Sequence, residues 1–537
     1  MDLKKEIIKL LKKEIKNLDD NLLQSPPNQE MGDYTLPCFT LSKQLKKDPK
    51  VIAEDLTKKL KPNKYIKKIQ NIGPYLNFFV NKELKNKSIL EKINKKYGTK
   101  TSLKKTIVIE FPSPNTNKPL HLGHLRNMAL GDSISRILET QGYKIKRVNL
   151  NNDRGIHICK SMLAYKKWSR NKKPNKKTDH FVGDYYVLFA QKEKENKELN
   201  KEAQQMLRKW EKGDPNTLAL WKKMNKWAFD GFNETYKRYG IKFTKEYYES
   251  KIFKKGRNII LDAYEKKIVQ KDKTGAILIN LGKKLGEKIL LRSDSTSVYI
   301  TQDIYLAKKK YDDYKFTKSI YVVGREQEYH FEVLFNILKL LKFNFAKDCY
   351  HLSYGMVSLP HGKMKSREGT VVDADNLMDD LSTLAKEEIK LRHNLNKKDL
   401  EDLSEKIGIG AIKYYLLKFS AQKDFTFNPE ESISFEGETG PYIQYSLVRA
   451  KKIIKKLKTK TTNVDYSLLK KPEEITLINL FSEYPLILEK SAKIYKPHII
   501  ADYAYKLASN FNRFYEFCPV VQAQDKNLQI ARKRVVE

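Results

Sequence analysis

Thr106, Ile107, Val108 and Ile109 form an uninterrupted apolar run, and Leu130, Ile134, Ile137 and Leu138 follow at i, i+4, i+7 and i+8. The first pattern predicts a buried strand and the second one face of a helix. Residues 144–150 predict a second strand, leading into Asn151-Asn152-Asp153-Arg154-Gly155. Val322-Val323-Gly324 predicts the end of a third, passing into the polar helix start Arg325-Glu326-Gln327-Glu328-Tyr329-His330. Near the start of the chain Leu3, Ile7, Leu10 and Leu11 share a helical face, and Ile72-Gly73-Pro74-Tyr75-Leu76-Asn77-Phe78-Phe79-Val80 closes a module of mixed helices and strands. Beyond Asp373 the spacing becomes helical throughout.

A chain of 537 residues is too long for one core and divides into several domains. The pattern gives an α+β module over residues 1–82, a lysine- and asparagine-rich helix and linker over 83–104 and an α/β nucleotide-binding domain over 105–375. Residues 156–286 are read as an insertion before the sheet resumes, and all four tryptophans, Trp168, Trp210, Trp221 and Trp227, fall inside it as expected helix packing. A helical region over 376–434 and an all-α bundle over 435–537 complete the chain.

The formal charge of +40 suits a polyanion and gives salt-sensitive association with nucleic acid. Lysine, asparagine and isoleucine are abundant everywhere, however, so an AT-rich genome or a solvated surface accounts for the basicity equally well. Cys38, Cys159, Cys349 and Cys518 are scattered without C-x-x-C spacing, which argues against zinc and against a disulfide framework and fits a reducing cytosol. No run reaches the length of a membrane-spanning helix. Asp2, Glu6 and Glu14 are unlike an acid-poor transit peptide.

The candidate chemistry lies between the first strand and its helix. His121 and His124 flank Gly123 where a helix begins, and a helix N-terminus supplies free N–H groups and partial positive charge to a phosphate. Glycine between them allows close approach of a ligand to the backbone. His-x-Gly-His alone is short enough to arise by chance. Its flanks, Ser113-Pro114-Asn115, Lys118-Pro119 and Leu125-Arg126, make the whole segment resemble the signature of arginyl-tRNA synthetases. A second segment, Tyr354-Gly355-Met356-Val357 followed by Gly362-Lys363-Met364-Lys365-Ser366-Arg367, resembles the family's lysine-containing catalytic loop in degenerate form. Ser366 and Arg367 stand where a lysine and a serine are usual, and by the resemblance Lys118 substitutes for the missing lysine.

The resemblance runs over essentially the whole chain and implies a class I Rossmann-type catalytic domain with an insertion, an N-terminal additional domain and a helical anticodon-binding domain. It implies ATP with Mg²⁺ as substrate, L-arginine and tRNA(Arg) as partners, a cytoplasmic monomer, and no zinc. Catalysis would fall to His121, His124, Lys118, Lys363 and Lys365, the lysines stabilising the charge of departing pyrophosphate. Tyr299 and Asp303, four apart at a helix start, would grip the arginine guanidinium with Glu110 assisting, since a carboxylate makes parallel charge-assisted hydrogen bonds to it. Asn115 and Gln327 would hold the α-amino group, with His121 near the carboxylate. Gly123, His124, Gly324, Met356, Val357 and Lys363 would line the ATP site. Ser295 and Gln302 depart from the family's more frequent Gly and Arg, and Thr244 from a frequent Asp.

For RNA, the resemblance implies stacking by Tyr75 and base contact by Asn77; an ordinary aromatic strand is the other reading. Tyr442, Tyr445 and Arg449 share one helical face after Phe435-Glu436-Gly437-Glu438-Thr439-Gly440-Pro441, implying tRNA contact, although such a stripe also suits a core. The family usually continues past Glu537 through a final helix and a short tail, so the bundle is expected to be naturally short or truncated. The rivals are another class I synthetase, which would not need Asp303, a non-catalytic RNA-binding paralogue, and a nucleotidylyltransferase, which would not need the bundle.

Overall fold

The computed structural model describes residues 3–24, 26, 28, 31–294, 296–360 and 372–537, which divide into two units. The first comprises Met1–Tyr97, Ser446–Pro485 and Lys506–Glu537. Its strands β1 (Tyr34–Pro37), β2 (Ile66–Ile72) and β3 (Tyr75–Val80) form an antiparallel sheet in the order β1-β3-β2. The strand alternation sends Leu76, Phe78 and Val80 to one face, where they pack with Leu3, Ile7, Ile8 and Leu11 of the first helix. Leu10, expected on that face, is only partly buried, and Ile8 is buried in its place.

The lysine- and asparagine-rich helix expected at the start of the linker stretch is Lys82–Leu90, and it belongs to a core. Its Ile89 and Leu90 pack with Ile453, Leu477, Ile478 and Phe514 of the C-terminal helices. The run of lysines around these two apolar residues hid a narrow buried stripe. That core also holds a buried ion pair, Arg532 Nε to Glu474 Oε1 at 2.7 Å.

The second unit comprises Gly98–Tyr445 and Leu486–Tyr505. It contains β4 (Thr106–Glu110), β5 (Lys144–Asn151), β6 (Lys245–Tyr248), β7 (Gln270–Lys271), β8 (Ile277–Asn280), β9 (Glu287–Leu291), β10 (Lys318–Gly324), β11 (Cys349–Tyr354), β12 (Val357–Ser358) and β13 (Phe425–Thr426). Five of these make an all-parallel sheet in the order β11-β10-β4-β5-β6. The chain leaves β4 for β5 on one side and returns to β10 on the other. A crevice therefore opens at the carboxyl ends of β4 and β10, the position where open α/β sheets bind ligands.

The sheet resumes at Lys245, earlier than the expected end of the insertion. Lys245-Glu246-Tyr247-Tyr248 pairs in parallel with β5 despite having no apolar run to announce it. Before it, helices Ile156–Trp168, Thr178–Glu195, Glu198–Glu211 and Pro215–Tyr239 enclose a core of their own, built on Met162, Tyr165, Phe181 and Phe189. Trp168, Trp221 and Trp227 pack against it. No helix among the described residues is long and apolar enough to cross a membrane.

Candidate functional site

His121 is the N-cap of helix Leu122–Thr140, and its Nδ1 accepts the Gly123 N–H at 3.1 Å. His124 reaches back, its Nδ1 accepting the His121 N–H at 3.1 Å. With both Nδ1 atoms acting as acceptors, each ring carries its proton on Nε2 and offers that N–H to a ligand. Burial drives His121 down to about 3, with the Lys118 charge adding to it. Burial likewise holds His124 well below its ordinary value, helped by His121 and Lys118. The pair therefore donates as neutral imidazoles. A Cβ at position 123 would stand 3.0 Å from the His121 ring, so glycine suits the close packing of this turn.

Asparagines of the neighbouring strand hold the approach to this turn. Asn149 Oδ1 accepts the Ser113 N–H at 3.1 Å, and Asn152 Nδ2 donates to Ser113 O at 2.9 Å. Asn149 and Asn151 both donate to Glu246 Oε1, at 3.0 and 3.2 Å. The unassuming strand β6 thus helps fix the turn through two intermediates.

Two other segments are tied to the histidine helix. Leu122 N donates to Val372 O and Ala374 N to Leu120 O, each at 3.0 Å, so residues 372–374 run antiparallel beside the turn. Arg126, fully buried, donates to Met356 O at 3.3 Å, Ala421 O at 2.7 Å and Lys423 O at 2.9 Å, with its guanidinium 4.6 Å from the Phe425 ring. Val357 is buried in β12 against β13, whereas Met356 is exposed. Lys363 and Lys365 lie outside the described residues.

A cavity of about 370 Å³ brings together Asn115, Tyr299, Asp303 and Gln327. Tyr299 and Asp303 occupy the first two turns of helix Tyr299–Tyr314, and Tyr299 is largely exposed. His330 Nε2 lies 2.7 Å from Asp303 Oδ2; this hydrogen bond lifts His330 above its ordinary value, overcoming the opposing effect of burial. Leu150, Ile156, Ile158 and Ile252 supply apolar wall. Glu110 does not line this cavity. Its carboxylate is engaged by Lys310 Nζ at 2.7 Å, with both side chains buried and Lys310 seated 3.7 Å from the Tyr321 ring centroid. His121 and Lys118 line a separate cavity of about 220 Å³ instead. Gly324 ends β10 with the Glu326 carboxylate folded over it, where a Cβ would meet Oε2 at 2.4 Å.

Sequence reasoning passed over Asn152, Arg154, Glu249 and His330 as cavity residues. His330 sat in a segment already singled out, and the need of a carboxylate for a partner was a usable signal. Glu249 carried none, lying far from Asp303 in sequence. Beside the His121 cavity, Asp179, His180 and Asp375 cluster within 4.8 Å. Lys177 Nζ sits between the carboxylates, 2.8 Å from Asp179 and 3.0 Å from Asp375, and His180 Nε2 lies 3.2 Å from Asp375, so the cluster is paired internally.

Of the residues expected to touch RNA, Tyr75 is half-buried against the edge of Phe39 at 5.6 Å. Asn77 is fully buried, and neither its Oδ1 nor its Nδ2 has a hydrogen-bond partner among the described residues. It presents no edge to solvent: it lies on the face of the sheet opposite to Leu76 and Phe78, across from buried Thr35, and is fully covered there as well. Tyr442 packs against Tyr505 at 5.7 Å, and Tyr445 is exposed. Arg449 donates to Asn512 Oδ1 at 2.8 Å and lies 4.5 Å from the Tyr515 ring.

Three family profiles match the chain: "Arginyl tRNA synthetase N terminal domain" over residues 1–80, "tRNA synthetases class I (R), catalytic domain" over 85–429, and "DALR anticodon binding domain" over 443–537. The chain is 48% identical to an arginine–tRNA ligase of Treponema denticola, covering 95% of this chain and 90% of that one. It is 45% identical to an arginine–tRNA ligase of Borrelia turicatae over the same shares. Among solved structures, the arginyl-tRNA synthetase of Thermus thermophilus superposes with a TM-score of 0.83 at 25% identity, covering 99% of this chain and 95% of that one. With a switch-point crevice, a histidine-capped helix and a carboxylate-walled cavity in one unit, and with these matches along its length, the chain belongs to the arginyl-tRNA synthetase family.

Proposed function

We infer that this protein is an arginine–tRNA ligase, activating L-arginine with ATP to arginyl-adenylate and pyrophosphate and transferring arginine to the 3′-terminal adenosine of tRNA(Arg). The observation that carries the pocket assignment is Asp303 on the wall of a cavity it shares with Tyr299, Asn115 and Gln327. A carboxylate backed by a phenol suits the guanidinium, and two amides suit the α-amino group. The arginine carboxylate then attacks the α-phosphate of ATP, which enters as its magnesium complex, and the P–O bond to pyrophosphate breaks.

Chemistry of this kind is mostly positioning and charge stabilisation. The Nε2–H groups of His121 and His124 donate to phosphate oxygens. Being neutral, they add no ionic pairing that would hold the product adenylate. Lys118, Lys363 and Lys365 meet the charge on the leaving pyrophosphate. Gly123, Gly324, Met356 and Val357 contribute the ATP-facing backbone. A ribose hydroxyl of the terminal adenosine next attacks the arginyl carbonyl and expels AMP. Tyr75, Tyr442, Tyr445 and Arg449 contact the tRNA, and Asn77 does so only if its cover moves aside. The enzyme works as a cytoplasmic monomer.

Arginine-dependent exchange of pyrophosphate into ATP, run with all twenty amino acids and with or without tRNA(Arg), tests this. Exchange with arginine alone, and only with tRNA bound, is the expected result. Tight tRNA binding without exchange would sink the catalytic reading.

A further inference from the structure

We propose that Asp424 is a positioning residue for ATP: its one carboxylate fixes the two main-chain walls assigned to the nucleotide, Gly324-Arg325 and Met356-Val357. The proposal rests on the reading of these segments as the ATP site. The β10–β11 ladder ends at the rung between Gly324 and Tyr354. Beyond it the two chains diverge, one into the helical turn that opens with Arg325 and the other into β12. Asp424 joins them where the sheet no longer does. Its Oδ1 accepts the Met356 N–H at 2.7 Å, and its Oδ2 accepts from Arg325 Nη2 at 2.7 Å.

Asp424 is itself held from the helix that His121 caps. Arg126 on that helix donates to Ala421 O and Lys423 O, and the Gly355 N–H donates to Ala421 O at 2.9 Å. Gly355 has to lack a side chain here, because a Cβ would collide with Asp424 Oδ1 and with Gln422 O. Residues 420–424 are thus a hub on which the histidine helix, the end of β10 and the start of β12 converge, and all three segments are assigned to ATP.

These contacts use up the main chain of Met356. Its N–H goes to Asp424, and its carbonyl accepts from the Phe425 N–H at 3.2 Å and from Arg126. Met356 and Ser358 both bond to β13, so Val357 between them turns its own N–H and C=O to the opposite edge. Pinning Met356 therefore sets where the Val357 pair points. The Asp424 and Arg325 side chains are 53% and 49% exposed, and an ion pair in water contributes little to folding. Removing the carboxylate buries no charge, and water replaces it at the Met356 N–H. The loss falls on the geometry of the ATP walls and leaves stability nearly intact.

The test is Asp424→Ala in the full chain, read by tRNA-dependent exchange while ATP and arginine are varied in turn. The expected result is a KM for ATP raised about tenfold, a KM for arginine within about twofold of wild type, and an unchanged melting temperature. Asp424→Asn, which keeps an acceptor for Met356, and Arg325→Ala should each raise the KM for ATP only about two- to threefold. Their combination should go no further than either alone, since both break one contact. An unchanged KM for ATP in Asp424→Ala would overturn the proposal. So would the two KM values rising together with a lowered melting temperature, the mark of a general structural role. If Asp424→Ala does not fold, the other two variants carry the test, and an unaltered KM for ATP in both decides against it. Where wild type exchanges with arginine, such a result removes the positioning role and leaves the ligase reading standing; no wild-type exchange with any amino acid removes both.

Discussion

Glu110 and Asp303 each face one basic side chain at 2.7 Å, and they differ in what that partner is able to do. Lys310 is fully buried, bonded to Glu110 and packed on Tyr321, so its charge has nowhere to go. His330 is a third exposed at the cavity wall and titrates. The first pair is a fixed structural bond at the end of β4. On the proposed assignment of the cavity, the second is a provisional one, able to release its carboxylate to a stronger cation. Residue type alone therefore does not make a carboxylate a ligand; the partner decides.

The sharpest way to break this contrast is Lys310→Ala. Leaving the Glu110 carboxylate buried and unpaired should cost about 3–5 kcal/mol, seen as a fall in the denaturant midpoint of the catalytic unit, and Lys310→Met with Glu110→Leu should recover most of it. Asp303→Asn should leave the denaturation midpoint nearly untouched while lowering kcat/KM for arginine by about 2–3 kcal/mol, roughly 30- to 150-fold. Normal arginine use by that variant would erase the distinction.

Glu110→Gln is the finer comparison. It should destabilise by about 1–3 kcal/mol through the lost charge-assisted bond and raise the KM for arginine less than Asp303→Asn does in the same exchange assay. A larger KM effect would return Glu110 to the list of direct ligands.

The smallest effect belongs to His330→Gln. A histidine lifted by its carboxylate contributes stability that is fully present below its unfolded value and is lost as pH rises through the folded one. Wild type should therefore exceed the variant by up to about 1 kcal/mol at acid pH, and thermal melts of the two should converge at alkaline pH. Because protonated His330 competes for Asp303, the variant should also show the lower arginine KM on the acid side.

Which parts of this were legible in the sequence follows from how each is built. The histidine turn is contiguous, its strand and helix have strong periods, and its glycine marks a close backbone approach, so local reading reached it. Strand β6 was missed because Lys245-Glu246-Tyr247-Tyr248 is held by pairing with β5 and has no apolar period. The helix at Lys82–Leu90 was legible but its place in a core was not, because two apolar residues among lysines carry little signal. The spacing of Asp303 to Tyr299 placed the two on one helix face, and the family resemblance gave them their expected role. The place of Glu249 in the Asp303 cavity and the capture of Glu110 by Lys310 were not legible, since each is a meeting of side chains remote in sequence that only the folded sheet arranges.

The strand order has a consequence for the making of the protein. Ile107 in β4 pairs with Ile145 on one side and Lys318 on the other. Its second neighbour does not exist until long after the first, and at typical synthesis rates the interval is roughly 10–40 s. Throughout that time a growing chain exposes an apolar strand with an open hydrogen-bonding edge, while the helical insertion is able to collapse on its own local contacts. Ribosome-bound chains stopped short of residue 318 are thus the species most in need of a chaperone.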